Sequence, residues 1–372
     1  MSLRDRLKAA RAAKPGDVRD VFTRFGTLGN PFPSSTHNTD NPHLRMHYDD
    51  DIEARIEAFM ADHRTRVVII EGTQGTGKTN LLNHYASEIR SAIEDDMGFY
   101  VVRYLADPEA SFDGTIRRLL HELGPEHLQV LGQKLAQTGN GAIESARSVE
   151  VRTALYNLSA DPTLDVARSF LEWLLGMRLL NAHRNSLGVG FRLDTIEART
   201  AALRDLVTVS AEVGLLNGIF LLLDELEKQD GVLSPTAVVR YLSALRAIID
   251  ALPSHLFMML AMTPDAMRRY SVSLPAFRSR LQDRVELTPL QTEDESVALG
   301  RFYLDQARDA ARRIRGPLPK GVQPIVTEAE MRSSFQRLLP AAQRLSDTGV
   351  RQRRFLHDLF EMAERRIYES EV

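Results

Sequence analysis

Apolar residues follow two rhythms along this chain. Nearly unbroken apolar runs occur at 66–71 (Arg-Val-Val-Ile-Ile-Glu), 99–105 (Phe-Tyr-Val-Val-Arg-Tyr-Leu), 218–223 (Gly-Ile-Phe-Leu-Leu-Leu) and 256–262 (Leu-Phe-Met-Met-Leu-Ala-Met). Runs of this length without polar alternation predict strands buried on both faces, as in a helix-covered parallel sheet. A fifth, short strand is predicted at 285–287. Between the runs, apolar residues recur at helical spacing: Ile52, Ile56 and Phe59; Phe112, Ile116, Leu119 and Leu123; Val166, Phe170, Trp173, Leu174 and Met177; Ile196, Leu203, Leu206 and Val207. Strands alternating with helices predict an α/β fold. Its sheet is parallel and five-stranded, with helices on both faces and a site at the carboxyl ends of the strands.

The spacing of the runs also divides the chain. Residues 1–48 read as a lead-in, with an amphipathic basic start and then a stretch rich in Pro, Gly, Asn, Ser, Thr and His. Within it, Asn30-Pro31-Phe32-Pro33 sets one aromatic among turn formers, either to close over a base or to bury in a plain turn. His37, His43 and His47 near Asp40, Asp49 and Asp50 match no fixed metal-ligand spacing. Residues 49–290 hold the strands. About a hundred residues separate the second and third, far more than a direct crossover needs, which predicts a helical insertion over about 125–192. Residues 291–372 are helical in pattern.

Chemistry enters between the first strand and the helix after it. Gly72, Thr73, Gln74, Gly75, Thr76, Gly77, Lys78 and Thr79 form a complete G-x-x-x-x-G-K-[ST] phosphate loop. Its glycines let the backbone wrap a polyphosphate with N–H groups pointing inward. Lys78 is placed to reach the β- and γ-phosphates, the Thr79 hydroxyl to ligate Mg²⁺, and the helix N-terminus to face the anion. The third apolar run ends in Asp224 and Glu225. Asp224 is placed to hold Mg²⁺ through water, and Glu225 to polarise the water that attacks the γ-phosphate. An acidic strand end is a weak signal alone; with the phosphate loop it predicts an ATP-binding, ATP-hydrolysing protein with ATP and Mg²⁺ as cofactors.

Composition narrows the setting. The chain has 372 residues, 43% hydrophobic and 26% charged, a globular balance that accommodates two domains. No cysteine is present, which excludes disulfides, thiolate-metal sites and a cysteine nucleophile and fits a reducing cytoplasm. No apolar run approaches the ~18 residues of a membrane span. The net charge of −3 gives no global drive toward nucleic acid, so DNA contact must come from local patches such as the arginines at 312–315, 351–354 and 365–366.

The order of elements over about 30–365, the inserted helices apart, resembles the AAA+ branch of P-loop ATPases. The likeness is to the replication-initiator or origin-recognition type and to bacterial ATPases of mobile elements and phage defence. In that family the strand bearing a polar sensor lies between the phosphate-loop strand and the acidic strand. The resemblance implies that Thr263, after the fourth strand, is that sensor; a helix cap before Pro264 is the plainer role. Ser279-Arg280-Leu281 resembles the segment whose arginine reaches the ATP of a neighbouring subunit, with Arg278 and Arg284 as rivals to Arg280. Residues 348–356 (Thr-Gly-Val-Arg-Gln-Arg-Arg-Phe-Leu) are similar to the lid segment carrying the second sensor, which implies Arg353, with Arg351 next. Residues 213–228 resemble the acidic-strand segment of ATP-binding proteins in bacteriophage-exclusion systems. These likenesses imply a homo-oligomer with 291–372 as a helical lid and DNA as a candidate partner; the long insertion departs from the family's pattern and suggests a surface for a protein partner. The leading expectation is an ATP-driven assembly factor acting on DNA. A nucleotide-controlled protein switch without DNA is the alternative. A metabolic kinase lacks any acceptor-side motif.

Overall fold

The computed structural model describes residues 21–34, 42–93, 98–105, 112–224, 234–273 and 283–369. They form two compact units, one of residues 45–73 and 78–287, the other of 1–44, 74–77 and 288–372.

The first unit is built on β1 (Arg66–Gly72), β2 (Phe99–Leu105), β3 (Gly218–Asp224), β4 (Leu256–Met262) and β5 (Asp283–Leu287). All pairings are parallel and the order is β2-β3-β4-β1-β5. β3 and β4 are buried at every position, which is why their sequences show no polar alternation. Successive side chains take opposite faces. Val68 and Ile70 pack with Phe59 of α2 (Asp49–Asp62) and Leu81, Leu82 and Ile89 of α3 (Lys78–Ala92); α1, in the other unit, is Val21–Phe25. Val67 and Ile69 join a cluster on the other face with Leu242 and Leu245 of a helix over 235–251.

Between β2 and β3 the chain is helical: α4 (Phe112–Thr138), a 3₁₀ turn (Asn140–Ser145), α5 (Val149–Ala160), α6 (Leu164–Leu174), α7 (Asn181–Leu187) and α8 (Ile196–Glu212). α4 kinks at Gly124 (φ 74°), where Pro125 also removes a backbone donor. These helices bury Leu128, Leu155, Phe170 and Trp173 in the same cluster that covers the sheet, so their apolar faces are core. Trp173 donates its indole N–H to the Phe191 carbonyl at 2.8 Å, an ordinary partner for a buried Trp. α9 (Pro235–Ala251), β4, α10 (Pro264–Ser273) and β5 complete the unit.

In the second unit, α11 (Glu293–Arg315), α12 (Glu328–Arg344) and α13 (Gln352–Glu369) pack around Val297, Met331, Phe335, Phe355 and Leu359. Thr327 and Glu330 cap α12 reciprocally, each side chain bonding the other's backbone N–H. Phe32 belongs to this core at 2% exposure. Asn30 fixes its turn, accepting the Phe32 N–H at 3.1 Å and donating to the Phe360 carbonyl at 2.9 Å. Of the two readings of Phe32, the buried turn is the one observed.

Candidate nucleotide site

β1 ends at Gly72 and α3 begins at Lys78, so the phosphate loop spans the strand-to-helix turn that the motif requires. Gly75 (φ 87°) and Gly77 (φ 94°) hold left-handed backbone, which side-chain-bearing residues rarely adopt. Among the described residues no atom lies within 4 Å of where a Cβ on Gly77 would stand. Lys78 is buried, and its ammonium donates to the Gly72 carbonyl at 2.8 Å and the Thr73 carbonyl at 3.3 Å. The amine is therefore curled over its own loop. The first turn of α3 carries no acidic residue, leaving its positive dipole end uncompensated. Thr79 is exposed beside it.

Asp224 ends β3 and is fully buried. The register Leu223↔Leu260 and Ile70↔Ala261 sets Asp224 level with Ile70, two residues before Gly72. Gly72 and Asp224 thus end their strands at the same edge of the sheet, with β4 between the two strands, which lie about 10 Å apart at the usual strand spacing. Thr79 and Asp224 are the residues that would hold a hydrated cation there, which would supply charge neutralisation to a bound triphosphate. These donors, a hydroxyl and a carboxylate, fit Mg²⁺, a hard cation that keeps several waters. Thr263 follows β4 between them, and its hydroxyl accepts the Ala266 N–H at 3.3 Å, capping α10. Its O–H proton stays available to a second group.

A family model described as BREX system ATP-binding protein BrxC/D matches residues 121–365. The chain belongs to this family. The match takes in Asp224, Thr263 and Arg353 and begins after the phosphate loop. No curated protein matches the chain. Among solved structures it is similar to ORC2 of Aeropyrum pernix in ADPNP and ADP complexes, at 12% identity over 90% of this chain and 72% of that one (TM-score 0.45). It is also similar to Cdc6p from Pyrobaculum aerophilum, at 14% identity over 90% of this chain and 66% of that one (TM-score 0.49).

In this BrxC/D-family chain, two expected site residues, Glu225 and Arg280, lie outside the described residues, as does Arg278. Arg284 sits in β5 with its guanidinium 3.7 Å from the Glu71 carboxylate. Within the second unit, Arg353 and Arg351 both approach the loop glycine. The Arg353 N–H donates to the Gly75 carbonyl at 3.1 Å, and a Cβ on Gly75 would stand 3.3 Å from the Arg353 Cβ. Arg351 is engaged by Asp347 at 2.8 Å and 3.0 Å. Arg353 is exposed and makes no ion pair among the described residues, which leaves its guanidinium available where that of Arg351 is spent.

Arg103 joins the site without belonging to any motif in the sequence. From β2 it donates to Asp224 Oδ2 at 2.9 Å, while its Nε donates to Asn83 Oδ1 of α3 at 2.9 Å. The signal was visible: one guanidinium in an otherwise apolar and aromatic buried strand needs an anionic partner. The arginines proposed to track DNA are partly committed elsewhere. Arg312 pairs with Asp309, Arg351 with Asp347 and Arg366 with Glu330. Among the described residues no cluster of three His, Asp or Glu could hold a metal, and no helix is long and apolar enough to cross a membrane.

Proposed function

We propose that this BrxC/D-family protein hydrolyses ATP and uses the cycle to assemble with copies of itself and license a partner on DNA, in bacterial genome defence. The observation that supports this best is the arrival of a glycine-turned phosphate loop and a buried aspartate at one edge of a parallel sheet, with the Thr263 strand between them. In this reading the loop amides and Lys78 bind the β- and γ-phosphates, with Lys78 leaving its own carbonyls to do so. Thr79 and Asp224 hold Mg²⁺, which when bound neutralises phosphate charge. Glu225, adjacent in sequence to Asp224, orients and deprotonates the attacking water. Thr263 donates to that water or to the γ-phosphate, Arg353 answers to the γ-phosphate as second sensor, and Arg280 completes the site of a neighbouring copy.

Glu225→Gln keeps shape and removes the base. ATP binding should persist while turnover falls by about a hundredfold or more, on the scale of lost general-base catalysis. Undiminished phosphate release from that variant removes Glu225 from the mechanism. Arg280→Ala should slow turnover only at concentrations where copies assemble; an equal defect in dilute monomer contradicts a role in trans.

A second reading is a nucleotide-controlled switch that holds a protein through the helices between β2 and β3 without DNA. Met177, Leu180 and Phe191 favour it, being 47%, 69% and 72% exposed. Exposed apolar groups gathered in one segment suit a partner surface. Leu180→Ser with Phe191→Ser should abolish partner capture and leave DNA affinity intact under this reading. Loss of salt-sensitive DNA binding in that variant supports the first reading instead.

A further inference from the structure

The amino edge of the sheet carries a polar cavity that the nucleotide chemistry does not use. It has a volume of about 550 Å³ and is lined by Arg147, Arg204, Ser243, Arg246, Asp250 and Pro253. That volume lies within the range of small-molecule sites. Pro253 accepts from the Thr65 N–H just ahead of β1, and Ser254 bridges to Arg64, so the cavity sits where β1 and β4 begin. Asp224 and the phosphate loop lie at the opposite edge, about a strand length, ~20 Å, away.

We propose that this cavity is a binding site for a phosphate-bearing ligand. The three guanidiniums come from three separate parts of the unit. Arg204 is held from behind, its Nε and Nη2 both on Asp205 Oδ1 at 2.9 Å and 2.6 Å. Asp205 is itself buried, and its other oxygen accepts the Ser148 N–H at 2.8 Å. The same carboxylate therefore anchors both Arg204 and the backbone next to Arg147. Arg246 donates Nε to Asp250 Oδ2 at 3.1 Å. Arg147 is exposed and makes no ion pair among the described residues. Three arginines and one carboxylate, Asp250, line the cavity, so its charged lining is predominantly cationic. Guanidinium forks match phosphate oxygens, with two parallel N–H donors per arginine. Among the described residues no aromatic lines the walls, which suits recognition of the phosphate and not of a base.

This proposal is independent of the nucleotide reading, and its test is kept apart by working in Lys78→Ala protein. Inorganic phosphate titrated calorimetrically should bind at one saturable site per chain. Arg147→Ala and Arg246→Ala, added singly, should each weaken binding by about tenfold or more, the scale of a charge-assisted hydrogen bond. Arg147→Lys, which keeps the charge but loses the fork, should restore only part of the loss. Arg204 is left intact because removing it strands the buried Asp205. Adenosine monophosphate and a short DNA duplex, each competed against phosphate, identify the source. Displacement by the monophosphate points to a free phosphorylated metabolite, displacement by the duplex alone to a nucleic-acid backbone. Phosphate binding unchanged by both alanine variants, with unaltered melting temperatures, overturns the proposal, as does a failure of phosphate to saturate.

Discussion

Arg103 and Asp224 form a buried ion pair across adjacent strands, Nη2 to Oδ2 at 2.9 Å, with the carboxylate wholly shielded from solvent. A buried carboxylate is tolerable only with a countercharge, and Arg103 supplies it. A cation on the same carboxylate would supply another. If Asp224 holds the metal as proposed, the pair would link the stability of the sheet to occupancy of the nucleotide site.

Arg103→Ala should destabilise the ligand-free protein by about 3 kcal/mol, the scale for breaking one partner of a buried pair. ATP analogue with magnesium should recover part of that loss, because the bound ion takes over as countercharge. Urea unfolding of both proteins with and without ligand measures this. A deficit independent of magnesium would separate Asp224 from the metal.

His127 predicts a pH dependence. It is 4% exposed between the Tyr100 hydroxyl (2.7 Å) and Ser210 Oγ (3.0 Å). Burial pushes its pKa down to about 4, and pushes Tyr100 up to about 12, so both stay neutral at neutral pH. A histidine with a depressed folded pKa contributes stability that is whole above its ordinary value, about 6.5, and is lost as pH falls from there toward 4. The loss is about 3 kcal/mol across that window, at 1.36 kcal/mol per pKa unit. Unfolding free energies of wild type and His127→Gln against pH should show the acid-side slope flattened in the variant. Parallel slopes would remove His127 as the titrating group.

Much of the fold was legible because it rests on periodicity. β3 and β4 are buried on both faces, so their sequences are continuous apolar runs, and the phosphate loop is a local motif whose glycines are required by two left-handed turns. The placement of β4 between β1 and β3 came from the family resemblance, since neighbouring strands in space are not neighbours in sequence. Contacts between distant segments were not legible. Arg103 showed as an oddity in β2, yet nothing local named Asp224, which lies 121 positions away, as its partner. Arg353 stood ahead of Arg351 on the family resemblance alone; the Asp347 contact that engages Arg351 was not legible.

Trp173 provides a reporter for the helices between β2 and β3, being the one tryptophan in the chain and almost fully buried. These helices share a core with the sheet, so tryptophan fluorescence and far-ultraviolet ellipticity should change together on unfolding. Trp173→Ala should cost about 3–5 kcal/mol, as for other large core truncations. An earlier fluorescence transition would show that these helices unfold as a separate module.

Gly75 offers a direct probe of the loop turn. Its φ of 87° and the 3.3 Å approach to the Arg353 Cβ leave no unstrained place for a side chain. Gly75→Ala should weaken ATP binding by about tenfold, from about 1–2 kcal/mol of left-handed strain at the loop. Wild-type affinity in that variant would mean the loop binds in another shape.

The most direct test is ATP-analogue affinity for wild type, Lys78→Ala and Asp224→Asn, each with magnesium and with a chelator. If one metal–triphosphate joins the phosphate loop to the end of β3, Lys78→Ala weakens binding under both conditions, whereas Asp224→Asn weakens it only when magnesium is present. Equal losses from Asp224→Asn with and without the metal, or no measurable binding by the wild type, would contradict the account.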